Sequence, residues 1–145
     1  SEGSISKAMD LIEQNIFSVR EGLLEFLKSK RKKALLMLFV LSKQISNKRE
    51  NILLAVQVIR TFLRDLMMLK VLRSDDRKKS EELGVQIFFN PYYENELQAI
   101  SHRFSSQDLD EYCQWLDQVE CLLDRNRSRE VLAESALIFW IRKRR

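Results

Sequence analysis

The chain has 145 residues, a formal net charge of +4, 45% hydrophobic and 32% charged residues, and only 3 Gly and 1 Pro. A chain of this length and polarity can bury about 70% of its unfolded surface in one domain, with no need of a disulfide or a metal. All-β folds spend glycine and proline on turns, and nucleotide-binding α/β folds spend glycine on a phosphate loop, so both are excluded and helices remain.

Gly3-Ser4 opens a first predicted helix over 5–14, with Ile5, Ala8, Met9 and Ile12 on one face. Asn15 and Ser18 break it, and a second helix from Val19 to Ser29 turns Leu23, Leu24, Phe26 and Leu27 inward. After the basic stretch Lys30 to Lys33, a third helix runs to Gln44. Its unbroken apolar run, Ala34 to Leu41, predicts burial on most sides and a central place. That run is far shorter than the roughly 20 residues that cross a bilayer.

Asn47 and Glu50 have the spacing of a capping box, which predicts the start of the longest helix, ending near Leu72. Ser74 to Gly84 is charged and reads as a linker with a short helical turn at Lys79 to Leu83. Val85 to Phe89 has strand chemistry without a partner strand, which predicts an extended segment laid against a bundle. A fifth helix follows from Tyr92 or Tyr93 to Arg103. A sixth is capped by Ser105 or Ser106 and runs to Arg125, and a seventh spans Arg129 to Arg142. The predicted fold is a single all-α bundle of six or seven helices.

Catalytic side chains are scarce. His102 is the single histidine, no Gly-rich phosphate loop is present, and no Cys or acidic residue lies at ligand spacing from His102. No catalytic, cofactor-binding or metal-binding residue is therefore assigned. Cys113 and Cys121 fall on one predicted helix about 12 Å apart, too far for a disulfide, which needs less than about 7 Å. Two free thiols point to a reducing, cytoplasmic setting. Basic residues gather at Lys28 to Lys33, Arg73 to Lys79 and Arg142 to Arg145. Such runs are usually solvated helix ends.

One polar pair interrupts the most apolar helix. Asp65 has Thr61 and Leu69 one turn away on either side, so no cation of its own helix meets it. Either one member of Arg64-Asp65 faces water, or the pair ties this helix to a neighbouring element.

Leu63-Arg64-Asp65-Leu66-Met67-Met68-Leu69-Lys70 resembles the "LRDLL..K" signature in the C-terminal part of bacterial clamp-loader subunits, above all the delta-prime type of DNA polymerase III. Gly3 to Leu11 is similar to the "GS...AL.L" segment of the AAA+ lid, and Asn126 to Glu134 to the "N.N..L.LE" segment that opens the family's last helix. Ser128 replaces the second Asn common there. Where ATP-hydrolysing members carry a nucleotide-touching arginine in the lid, this chain has Ser6, which resembles the often ATPase-deficient delta-prime type more than the gamma/tau motor.

The resemblance implies a lid-like end or first helix over 1–15 and a collar, or oligomerisation, domain over 16–145. An AAA+ region is expected before Ser1. The structural motif residues would be Gly3, Ser4, Arg64, Asp65, Asn126 and Glu134. The implied partners are the gamma/tau and delta subunits in a bacterial cytoplasm, with DNA and the sliding clamp reached only through the N-terminal region. No membrane and no cofactor are implied. Candidate subunit contacts are Ile138, Trp140 and Ile141 on the last helix, and Ile87, Phe88 and Phe89 on the extended segment. The alternatives are a gamma/tau collar, and a helical nucleic-acid-binding module using Lys28 to Lys33 and Arg142 to Arg145. An enzyme is disfavoured by the missing histidines and glycines.

Overall fold

A computed structural model describes residues 18–72, 74–125 and 128–143. The helix predicted over 5–14, with Gly3, Ser4 and Ser6, lies outside these residues, as does Asn126. The described chain is all-α: α1 over 18–28, α2 (Arg31–Ile45), α3 (Arg49–Val71), α4 (Ser74–Leu83), α5 (Glu94–Ile100), α6 (Ser106–Leu123) and α7 (Arg129–Lys143). Short 3-10 turns, Pro91–Tyr93 and Ser101–Arg103, flank α5. They divide what the sequence predicted as one fifth helix.

The long α3 and the last helix α7 form the middle of the bundle. α7 packs against α2, α3 and α6, while α3 also packs against α5 and α6. One apolar core runs through the described elements, with Phe26 and Leu27 of α1, Phe62 and Leu66 of α3, Tyr112 and Leu116 of α6, and Leu137 and Trp140 of α7 among its members. Every described helix but α4 contributes residues to it, and those of the longer helices are mostly three or four apart, a spacing that keeps them on one side of the cylinder.

Three sequence expectations are corrected. The apolar run of α2 does not place it centrally. Ala34, Leu38, Leu41 and Ile45 are buried, but Leu35, Leu36, Phe39 and Val40 on the other side are exposed. A continuous apolar run covers every side of a helix, whereas the described neighbours of α2 occupy only one.

The capping box at Asn47 is not formed. Lys48 is the N-cap of α3 and no side chain caps it. A complete box stands instead at α6, where the Asp108 N–H donates to Ser105 Oγ at 3.1 Å and the Ser105 N–H donates to Asp108 Oδ2 at 3.0 Å.

The supposed linker is largely helix. Asp75 and Asp76 sit in the first turn of α4, where acidic groups favour the positive end of the helix dipole. Gly84, at φ +67°, then ends α4 in the left-handed conformation that glycine tolerates best. Its N–H donates to Glu81 O at 3.2 Å and the Val85 N–H to Ser80 O at 2.9 Å, the paired bonds of a Schellman motif.

Beyond Gly84 residues 85–88 take no regular secondary structure, and there is no strand among the described residues. Arg77 holds this region to the body. It pairs with Glu94 at 3.0 Å, donates to Gln98 at 3.0 Å, and lies over the Phe88 ring at 5.7 Å.

Candidate functional site

Helix α3 presents Leu63 to Lys70 with two faces. Leu63, Asp65 and Leu66 are fully buried, while Arg64 and Lys70 are exposed. Arg64 thus meets water, and Asp65 ties α3 to another part of the chain. Its Oδ1 accepts the Phe89 N–H at 2.9 Å, and its Oδ2 accepts the Asn90 N–H at 2.8 Å and the Asn90 side-chain amide at 2.9 Å. The same amide lies 3.2 Å from Thr61 Oγ1, one turn earlier on α3. Three N–H groups converging on one carboxylate satisfy it far better than a single neutral bond would.

The partners are two backbone N–H groups and a side-chain amide rather than a cation, and all belong to the segment before Pro91. Proline at the next position lacks an N–H, and the turn that it begins leaves the preceding N–H groups free to face α3. Around this anchor, Lys70 donates to Ser101 O at 2.8 Å and the Phe62 and Tyr93 rings lie 6.1 Å apart. The Tyr93 hydroxyl donates to Glu21 of α1 at 2.6 Å. Burial, and then the bond to Glu21 and its charge, push the Tyr93 pKa up to about 12. Asp65 therefore stands in a junction that joins α1, α3 and the 85–103 stretch.

The predicted contact residues divide. Trp140 and Ile141 are buried in the chain's own core, which removes them from the surface available to a subunit. Trp140 packs on Phe104 and Tyr112, with ring centroids 3.8 and 6.0 Å away, and its indole N–H donates to Leu27 O at 3.3 Å. The Tyr112 hydroxyl donates to Ala136 O, and burial pushes its pKa far up. Ile138 is half-buried against the same core, and Glu134 is half-buried on α7. Ile87 and Phe88 are half-buried and Phe89 is exposed.

An exposed apolar face lies on α2. Leu36, Phe39 and Val40 are exposed at 70%, 57% and 57%. The signal was present in the sequence, because Lys32 lies one turn before Leu36 and Lys43 one turn after Phe39, so lysines share their side of the helix.

Charges on the other side of the bundle are internally matched. Arg60 of α3 bridges Asp117 at 2.6 Å and Glu120 at 3.1 Å on α6, and Arg49 pairs with Asp124 just beyond α6. Burial lowers the Arg60 pKa, but the two carboxylates outweigh it and hold it above the ordinary value.

Burial pushes the Cys113 thiol up, away from thiolate, and His102 is exposed in a 3-10 turn. Among the described residues no group of His, Cys, Asp and Glu could hold a metal ion, and no helix is long and apolar enough to cross a membrane. No protein-family model, no curated protein and no solved structure matches the chain.

Proposed function

We propose that the chain is a subunit-assembly domain, the collar of a delta-prime-type subunit of the DNA polymerase III clamp loader. In this role it supports ATP-driven loading of the sliding clamp by holding subunits together, and contributes no catalytic group of its own. The observation that carries the reading is the anchor at Asp65. The residue at the centre of the family-like Leu63 to Lys70 segment is fully buried and binds a turn 24 and 25 residues away in sequence. That is the work expected of a motif that shapes a helical scaffold rather than a reaction centre. The exposed apolar side chains of α2 support the same reading, since a contiguous apolar face on a soluble bundle marks an interaction site.

Gel filtration tests it. Mixed with the gamma/tau and delta subunits of its own organism at physiological salt, the chain co-elutes with them. Elution of the chain alone contradicts the proposal. Retention by duplex DNA instead, with affinity falling steeply as salt rises, establishes the nucleic-acid-binding alternative.

A further inference from the structure

The outer side of α2 combines two features that rarely occur together without a partner. Its middle exposes Leu36, Phe39 and Val40, with Leu35 at the border. Its ends on the same side carry Lys32 and Lys43, with Lys33 beside them, all exposed. Arg31 to Ile45 contains four basic residues and no acidic one. The opposite side, through Ala34, Leu38, Leu41 and Ile45, is fixed in the core, so the helix cannot rotate to hide the exposed stripe.

We infer that this face is the docking surface for an amphipathic helix of another protein whose apolar stripe carries aspartate or glutamate at its two ends. Charge selects that occupant over a second copy of this chain. Two α2 faces related by a twofold axis would set the lysine-bearing ends of one against those of the other. The acidic α6 of a second copy is no better match. Its Leu109, Tyr112, Leu116 and Val119 are buried, and its Asp117 and Glu120 already hold Arg60.

An anionic bilayer fits poorly as well. At helical spacing Lys32 and Lys43 fall on the line of the apolar stripe rather than around its flanks, so immersing Leu36 and Phe39 would carry both cations toward the hydrocarbon. Acidic side chains at the two ends of a partner helix meet them directly.

The inference deepens the assembly reading and rests on it only in taking the chain to be an interaction domain. Its test contains no clamp-loader subunit, so failure here and failure to co-elute with those subunits are separate results. The full chain is titrated with a fluorescent helical peptide bearing a stripe of leucines with glutamates at its two ends. The controls are the same peptide with lysines in place of the glutamates, and vesicles of phosphatidylglycerol and phosphatidylcholine.

The glutamate peptide binds saturably, and the lysine peptide at least about tenfold more weakly, as expected when flanking charges set partner choice. Leu36→Ser with Phe39→Ser abolishes binding, and Lys32→Glu with Lys43→Glu reverses the preference between the peptides. All four side chains point to solvent, so the far-UV circular dichroism of both variants stays that of the parent. Absence of glutamate-peptide binding overturns the inference, as does equal binding of the two peptides. Vesicle binding without peptide binding reassigns the face to a membrane. Self-association lost in the Leu36→Ser, Phe39→Ser variant reassigns it to a second copy.

Discussion

Asp65 is the residue on which the 85–103 stretch depends. Replacing it with leucine leaves the Phe89 and Asn90 N–H groups without their acceptor and the Asn90 amide with Thr61 Oγ1. Each buried donor left unsatisfied costs about 1–3 kcal/mol, so losing the acceptor of these two N–H groups should lower the unfolding free energy of Asp65→Leu by about 2–6 kcal/mol. Asp65→Asn keeps one oxygen for Asn90 but turns an amide NH2 toward the Phe89 N–H, so about 1–3 kcal/mol is expected. Urea denaturation of the two variants measures the order directly, and a neutral Asp65→Leu contradicts it. That this residue needed a partner was legible in the sequence, because its helix is apolar and offers no cation one turn away. The identity of the partner was not, since a bond to residues 89 and 90 is a matter of chain path rather than of helical spacing. Trp140 shows the same limit from the other side. A tryptophan on an amphipathic helix has the same periodicity whether it fills a core or meets another subunit.

Helix ends were read well where a side chain closes them and less well where charge alone does. Ser105 before an acidic residue three positions on is a local signal, and the box it forms is intact. Ser105→Ala should cost about 1 kcal/mol. Asn47 offers the same local signal, yet its side chain caps nothing, so Asn47→Ala should change stability by less than about 0.5 kcal/mol. Thermal or urea unfolding of the pair tests whether the assigned caps are the working ones, and a larger loss at Asn47 contradicts them. α4 reads in the sequence only as a linker with a short helical turn at Lys79 to Leu83, because Ser74 to Leu83 has no apolar stripe. Arg77 ties it to the body, with partners in α5 and at Phe88. α2 was misplaced for the opposite reason, since a run apolar on every side says nothing of how many sides are covered.

At the scale of the molecule, the all-α class followed from the scarcity of glycine and proline, and the order of the described helices other than α4 from their periodicity. Which helices lie in the middle did not follow. α3 and α7 hold that place through contacts distant in sequence, such as the bond from Trp140 to Leu27 and the bridge from Arg60 to α6. What remains on the outside then gains meaning, because the apolar face of α2 is surplus to a core already filled by other helices. Hydrogen–deuterium exchange on the chain alone, and on the chain mixed with gamma/tau and delta subunits, tests the central claim of assembly through that face. Exchange in Arg31 to Ile45 should slow in the mixture, while the Phe89 and Asn90 N–H groups, already held by Asp65, keep their rates. Unchanged exchange across α2 in the mixture, or slowing at Lys28 to Lys33 by duplex DNA alone, would contradict it.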